Sequence, residues 1–463
     1  MNRTRSFVAS AAAVVVTAAG LTLATPVLPA FASTSFALSP SVPIVGESFA
    51  ATGRVSTKFK RPVVLRVYSG GAWRTAKSGW TTSSGTYRLP TAGVSTPTAF
   101  AVLARAYKHH GRTYGQTSSA KRVARPVSQT ASISVLPKIV QRGSAVASSE
   151  SAANSVLARF SPARPGRKVT FQRTVGGRVL NTTTTEKSDG TALFRGSLAG
   201  GSIHAVAATR YSAPAIATGE AADDWAPVFT EEFSGSTLDT SKWDYRLNGL
   251  YIPGRTKSKS DAGAVTVGGG SVALKVAKAP GSTTRLLNGH ISTENSFHFT
   301  YGTAAARVKF QQGRGSHGSF WLQSPTYGKY AGSPASSGAE IDAAEFFGRG
   351  YPNGGLANFL YYKTSSGKTS KTGAVQPGAA RLKPSSDSWW NSYHVFAVNW
   401  TPTGYTFYVD GQKMYSTNRA LSKQQEFLVL SLLSSDYELK YLDRSHLSTQ
   451  SLMRVDWARV WQR

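Results

Sequence analysis

The run from Gly338 to Gly348, GAEIDAAEFFG, carries three carboxylates: Glu340, Asp342 and Glu345. Side chains alternate along a strand, so Glu340 and Asp342 share one face. A regular strand would turn Glu345 to the other face. One extra residue taken up as a β-bulge at Ala343 or Ala344 would bring it back beside the first two. Acids gathered on a strand that is otherwise apolar (Ile341, Ala343, Ala344, Phe346, Phe347) repel one another and are costly to desolvate, so folding alone does not call for them. The spacing by itself also suits solvated acids on an edge strand, or a cation site. The chemistry that needs such a set is acetal hydrolysis with retention. One carboxylate attacks the anomeric carbon; a second, kept protonated by the nearby negative charge, protonates the leaving oxygen and later deprotonates water. A third acid between them can share a proton with the nucleophile and hold its orientation.

The elements that must position these acids are aromatic strands. Ser319-Phe320-Trp321-Leu322 lies upstream, and Trp389-Trp390-Asn391 downstream opens a run through Trp400 that leads into Gly404 to Gly411. Val228 to Phe233 and Leu238 to Trp243 come earlier, and Val455 to Trp461 closes the chain. In order and spacing these segments resemble glycoside hydrolase family 16, from Val228 to the C-terminus. The resemblance implies a concanavalin-like β-jelly roll with Glu340 as nucleophile, Glu345 as general acid/base and Asp342 as supporting acid. The extra residue before Glu345 is similar to the bulged branch of the family, which contains β-1,3-glucanases, lichenase-like enzymes and galactan hydrolases. The resemblance also places Glu232 and Asp456 where family members hold a structural calcium ion, and hard oxygen ligands suit that ion. No cofactor is needed for the chemistry itself.

Trp321, Trp389, Trp390, Tyr361 and Tyr362 are candidate sugar-stacking platforms, since pyranose C–H faces pack on aromatic rings; sandwich cores use the same residue types. Trp321 leads that set because its strand precedes the one with the acids, and Asn358 joins the substrate-binding candidates on the strand that should follow it. His394 reads as a satisfied sheet residue. Two departures from β-1,3-glucanases bear on the substrate. Leu356 to Tyr362 lacks the histidine common there, and Gly289-His290-Ile291 has His where a basic residue often follows Gly.

Length and composition frame this site. A chain of 463 residues with 40% hydrophobic content is long enough for two or three cored domains. Arg3, Arg5, an apolar segment from Phe7 to about Ala24 and Ala30-Phe31-Ala32 read as an export signal cleaved after Ala32, so residues 1–32 are set aside and the protein is expected outside the cell or at the cell wall. No other stretch is apolar enough to span a bilayer. There is no cysteine, which excludes thiol catalysis, disulfides and cysteine-ligated metal. Of the net charge of +30, residues 33–214 carry +21, from 25 Lys and Arg against 4 Asp and Glu. That half is attractive to an anionic cell-wall polymer; its dispersed basic residues and lack of a reading module argue against nucleic acid.

An internal repeat of roughly 105 residues occupies this basic half. Arg61 to Val67 followed by Gly70-Gly71 aligns with Arg167 to Arg173 followed by Gly176-Gly177; Gly85-Thr86-Tyr87 aligns with Gly190-Thr191-Ala192, and Ala101 to Tyr107 with Ala205 to Tyr211. Short alternating runs between Gly, Ser and Thr turns are β-sandwich strands. Two immunoglobulin-like modules, 33–126 and 127–214, are therefore expected, with a linker at 215–226 and the catalytic domain at 227–463. The fold class is all-β, with a brief helix at most near Arg419 to Gln425. The expected activity is that of a monomeric, secreted, retaining endo-β-glycosidase on β-1,3- or β-1,3-1,4-glucan. Alternatives are a transglycosylase, a hydrolase of another cell-wall or galactan polymer, and a non-catalytic lectin.

Overall fold

The computed structural model describes residues 33–210, 212–252, 255–329 and 333–463. The expected export signal, and Tyr211 of the repeat, lie outside the described residues. Among these, no helix is long and apolar enough to cross a membrane. The chain divides into two compact units between Pro126 and Val127.

The first unit is a small β-sandwich. Ala37–Ser39, Phe49–Arg54 and Thr86–Thr91 form one sheet; Arg122–Ala124, Thr98–Ala104, Pro62–Ser69 and Ala72–Trp80, with Thr117–Ser118, form the other. Alternating residues such as Ala51, Leu89, Val63, Leu65, Phe100 and Val102 meet between the sheets as a single core. The second unit opens with a sandwich of the same strand order, cored by Val156, Phe160, Val169, Phe171, Phe194 and Ile203.

Most of the expected linker at 215–226 is instead part of this second sandwich, and Ala226 already pairs with Gln462 of the jelly roll. Ile216–Ala217 and Ala221–Ala222 both pair with Ser202–Ala207, because their small apolar residues complete an edge of that sheet and Thr218 caps the turn between them by accepting the Ala205 N–H. Arg419 to Gln425 is also not helical. Its polar groups go to neighbours: the Ser422 N–H donates to Tyr405 Oη at 2.8 Å, and Gln424 Nε2 donates to the Ala335 carbonyl at 2.6 Å.

The rest of the second unit is one continuous 16-stranded sheet that folds over on itself. Leu356–Lys363, Glu340–Phe346, Ser316–Gln323 and Phe427–Ser434 are neighbours toward one end of the ladder; Leu452–Gln462, Gly302–Lys309, His394–Thr401 and Gly404–Val409 are neighbours toward the other. Ile341, Leu360 and Phe320 from the first group and Phe396, Val398 and Phe407 from the second share one core, which makes two packed layers, a jelly roll.

Leu452–Gln462 is buried on both faces. Met453, Val455, Ala458 and Val460 face the jelly-roll core, whereas Trp457 and Trp461 pack with Ile139 and Ala152 of the second sandwich. Polar contacts reinforce that seam. The Gly143 and Tyr393 backbones exchange hydrogen bonds at 3.1 and 2.7 Å, Trp457 Nε1 donates to Gln141 Oε1 at 2.7 Å, and Ser155 Oγ donates to the Gly411 carbonyl at 2.5 Å. The second sandwich and the jelly roll are thus packed together within the second unit.

Uncovering Trp457 and Trp461 would cost on the order of several kcal/mol of burial. Removing residues 33–126 is therefore expected to leave the thermal midpoint of the remaining unit unchanged, whereas removing 33–214 lowers it sharply or yields insoluble protein; differential scanning calorimetry of the two truncations distinguishes these outcomes.

Candidate active site

The geometry of the acids begins with an extra residue. Along Ser316–Gln323, Phe320 opposes Ala344 while the next residue, Trp321, opposes Asp342, which leaves Ala343 unpaired. On the other side, Asp342 opposes Phe359 and Glu345 opposes Ala357, so two catalytic-strand residues face Asn358 alone. This is the bulge expected from the spacing. Asn358 Nδ2 donates to the Ala343 carbonyl at 2.7 Å, satisfying a backbone group the bulge removes from the ladder. Gly338 and Gly348 close the run at either end with φ of 71° and 89°, and a Cβ on either would lie 2.1 Å from Ser324 Cβ or 2.3 Å from the Gly313 carbonyl oxygen.

With the bulge in place, Glu340, Asp342 and Glu345 line one cleft of about 380 Å³. Each has its own support. Gln323 Nε2 donates to Glu340 Oε2 at 3.0 Å, and Gln323 Oε1 accepts from Arg246 Nη2 at 2.5 Å. Ser319 Oγ donates to Glu345 Oε1 at 3.2 Å. Asp342 is buried, with Oδ2 lacking a hydrogen-bond partner within the protein.

All three carboxyls are pushed above their ordinary range, first by burial. Glu345 rises to about 7, with Glu340 as the next cause; Asp342 rises well above, helped by Glu345 and Glu340. Glu340 rises under burial while its Gln323 bond and the charges of Arg246 and Arg255 pull it back. Arg255 also pulls Glu345 back, with Ser319 and Lys371, but Glu345 is raised by Glu340 whereas no neighbouring carboxyl raises Glu340; that contrast favours Glu340 as the anion of the set.

His317 stands 3.8 Å from Glu345 Oε1. Burial, then Arg255, lowers its pKa to about 3, so the ring is neutral. Its Nε2 is 3.3 Å from Arg255 Nη2, which must donate; Nδ1 therefore carries the proton and donates to Ser435 Oγ at 3.1 Å. His290 is likewise held neutral by burial, with Arg246 and Arg255 adding to the effect, and its ring stacks on Trp321 at 6.1 Å.

The aromatic candidates divide. Trp321 lines the cleft, its Nε1 donating to Ser431 Oγ at 3.1 Å and Arg246 lying over its ring. Tyr361 is directly opposite Glu340 on the neighbouring strand and so shares its face. Tyr362, its neighbour, is half-buried and does not line the cleft. Three substrate-binding candidates are placed elsewhere. Trp389 is buried against Phe396 and His394, Trp390 stacks on Phe346 against the core, and Asn358 is fully buried as the clamp on the bulge. Apolar packing claims the two Trp rings and the orphaned carbonyl claims Asn358. His394 is buried between Asp410, at 2.8 Å, and Asp387, as a sheet residue.

Arg246, Arg255, His317, Ser319, Gln323 and Glu426 were not read from the sequence. Alternation outward from Trp321 would have found His317, Ser319 and Gln323, which lie two or four residues away on the same strand. The two arginines come from irregular segments with no periodic signal. Glu426 is fully buried, its carboxyl pushed well above the usual range by burial, and it accepts the Ala339 N–H at 3.4 Å, which secures the start of the catalytic strand.

Glu232 and Asp456, the expected calcium ligands, line one pocket with Ser148, Ser234 and Gly270, and both are engaged within the protein. Both Glu232 oxygens accept from Ser149, from its N–H at 3.0 Å and from its hydroxyl. Asp456 Oδ2 accepts the Ala147 N–H at 3.0 Å and is ion-paired to the buried Arg307 guanidinium. The positive charge is already present, and among the described residues no group of three or more His, Asp or Glu could hold a metal.

Residues 225–463 match the sequence profile of the domain described as "Beta-porphyranase A-D, GH16 domain". The chain belongs to glycoside hydrolase family 16. Among curated relatives, a keratan-sulfate endo-1,4-beta-galactosidase of Sphingobacterium multivorum is 25% identical over 206 residues, 44% of this chain and 46% of that protein. A glucan endo-1,3-beta-glucosidase A1 of Niallia circulans is 26% identical over 208 residues, 41% of this chain and 29% of that protein. The chain therefore spans less than half the length of either. The solved laminarinase catalytic domain of Thermotoga maritima MSB8 aligns at 20% identity and a TM-score of 0.43, covering 52% of this chain and 99% of that one.

Because Glu345 is protonated below about 7 in the fold, against about 4.5 when unfolded, keeping it buried weakens the protein as pH rises through that window. Glu345→Gln is expected to match the wild type in thermal midpoint at pH 4 and to exceed it by roughly 3 °C or more at pH 8, read by thermal denaturation at both pH values.

Proposed function

We propose that this family 16 protein is a retaining endo-β-glycosidase acting on a polysaccharide, with Glu340 as nucleophile, Glu345 as general acid/base and Asp342 as the protonated neighbour that orients Glu340. The observation that carries the reading is the bulge at Ala343, which brings all three acids to one cleft and has no use in a protein that only binds sugar. Glu340 would attack the anomeric carbon while Glu345 gives its proton to the leaving oxygen; Glu345, then ionised, takes a proton from the water that releases the product. Ser319 orients Glu345, and neutral His317 beside it adds no charge to lower its pKa. Trp321 and Tyr361 would receive sugar faces.

A β-1,3- or β-1,3-1,4-glucan is the leading substrate, in keeping with the glucanase relative. A galactan bearing anionic groups is the second reading. Arg246 Nη1 and Arg255 Nε are buried beside the cleft without hydrogen-bond partners within the protein, and the matched profile is described as that of a beta-porphyranase and the other named relative as a keratan-sulfate endo-1,4-beta-galactosidase. Transglycosylation would use the same acids. The protein is expected to be exported, with its basic N-terminal half facing an acidic polymer.

Reducing-end release from laminarin, lichenan, porphyran and keratan sulfate tests the proposal. One polymer is expected to be cleaved, with the β-anomer formed first by NMR, and Glu340→Gln is expected to lower turnover by about 10³-fold or more. Inversion at the anomeric carbon, or full activity in Glu340→Gln, would overturn it. On the cleaved polymer, kcat/KM should fall as pH rises past about 7, the value to which Glu345 is raised, and this alkaline limb should vanish in Glu345→Gln assayed with an aryl glycoside whose leaving group needs no protonation.

A further inference from the structure

The two tandem sandwiches share a strand order and a buried arginine, yet they use that arginine differently. In the second, Arg167 is fully buried and paired with Glu186 at 2.7 Å. In the first, Thr81 takes the place of Glu186: its N–H bonds the Arg61 carbonyl at 2.9 Å, as the Glu186 N–H bonds that of Arg167 at 2.8 Å. The Arg61 guanidinium, with no carboxylate, donates instead to the Arg105 carbonyl at 2.9 Å and to the carbonyls of Tyr114 and Gly115. These carbonyls bracket a β-hairpin, Tyr107–His109 with Arg112–Tyr114, for which the second sandwich has no counterpart among the described residues. A buried charge thus clamps both ends of an added hairpin.

What the hairpin carries is an aromatic surface outside the sandwich core. Phe59 stacks on His109 at 4.0 Å and lies 6.2 Å from Tyr107 and 4.7 Å from Tyr114; Tyr107 meets Trp80 edge to face at 5.7 Å. None of these belongs to the core cluster, and Trp80 is 57% exposed on an edge strand. At the matching position the second sandwich has Thr185, which pairs with Lys168 as Trp80 pairs with Pro62. The surroundings are uniformly basic. Residues 33–126 contain 14 Lys and Arg against one acid, Glu47, which is itself buried. Lys58 and Lys60 flank Phe59, and Lys108 and Arg112 lie on the hairpin, all exposed.

We infer that this hairpin face of the first sandwich is a binding site for an acidic polysaccharide, whose sugar faces stack on exposed Trp80 and the half-buried rings beside it while its carboxylates or sulfates meet the flanking basic side chains. Stacking rings with surrounding cations would also suit single-stranded nucleic acid; the polysaccharide is favoured because the same chain carries a family 16 catalytic unit. The inference rests on the reading of the basic half as facing a polyanion, and it does not depend on which polymer the catalytic cleft takes.

Affinity electrophoresis of the full mature chain through gels containing polygalacturonate, dextran sulfate, neutral dextran or oligodeoxythymidylate tests it. Retardation by one or both acidic polysaccharides is expected, and not by dextran; the first two gels separate carboxylate from sulfate recognition. Trp80→Ala is expected to weaken that retardation about tenfold, or ~1.4 kcal/mol, with an unchanged thermal midpoint and unchanged turnover. Lys58→Ala with Lys60→Ala should weaken it comparably, whereas Lys121→Ala with Arg122→Ala, which removes equal charge elsewhere on the module, should not. Equal weakening by the two lysine-and-arginine pairs, or none from Trp80→Ala, would sink the site and leave the polyanion reading standing. Tighter retardation by oligodeoxythymidylate would replace the polysaccharide with nucleic acid, and no retardation in any gel would overturn the polyanion reading as well.

Discussion

Everything the cleft does depends on one backbone carbonyl. A strand offers a face only to every second residue, so no regular strand can present Glu340, Asp342 and Glu345 together. The extra residue at Ala343 solves this and creates a problem, a buried carbonyl without a ladder partner, which Asn358 Nδ2 takes up at 2.7 Å. The clamp comes from the adjacent strand, so the bulge is fixed by register as well as by its own sequence. Gly338 and Gly348 then turn the chain where neighbouring atoms leave no space for a side chain. The acids are thus set by the backbone and tuned afterwards by what surrounds them.

That tuning follows from burial. Three carboxyls in one low-dielectric cleft cannot all ionise: Glu340 raises the pKa of Glu345, and both glutamates raise that of Asp342. The protein breaks the symmetry by placing its cations unevenly. Arg246 reaches Glu340 through Gln323, while Arg255 is hydrogen-bonded to His317, whose ring is neutral and adds no charge beside Glu345. The titration belongs to the set of three: Arg255 favours the anions of both glutamates, and Arg246 that of Glu340 alone.

The acids and their bulge were legible because they violate what folding asks of a strand, and a violation localised to three residues points to chemistry. Trp321 was legible by proximity in sequence. Trp389, Trp390 and Asn358 were not, since an aromatic ring serves a core and a sugar equally well and an amide serves a ligand and a carbonyl equally well; only burial of Trp389 and Asn358, and the stacking of half-buried Trp390 on Phe346, separate these uses. Arg246 and Arg255 reach the cleft from irregular segments, where no period relates sequence to direction. The repeat marked the two sandwiches, but the segment after the second carried the small residues typical of a linker and gave no sign that it would pair with Ser202–Ala207.

The second sandwich also contacts the two carboxylates expected to hold calcium. The loop between its first two strands, residues 141–152, lies over the jelly-roll surface: the Gln141 and Ala145 carbonyls accept from Arg307 at 3.0 and 2.9 Å, and the Ala147 N–H and Ser149 cover Asp456 and Glu232. A guanidinium supplies the charge a metal would bring, together with directional N–H groups that tie carbonyls of the loop to an acid of the jelly roll. The same tandem copies show the economy of a buried arginine at larger scale. Arg167 closes an ion pair inside a sandwich committed to the catalytic unit, whereas Arg61, at the matching position and freed of that acid, holds a hairpin. One framework position therefore serves rigidity in one copy and a surface feature in the other, with Thr81 and Glu186 deciding which.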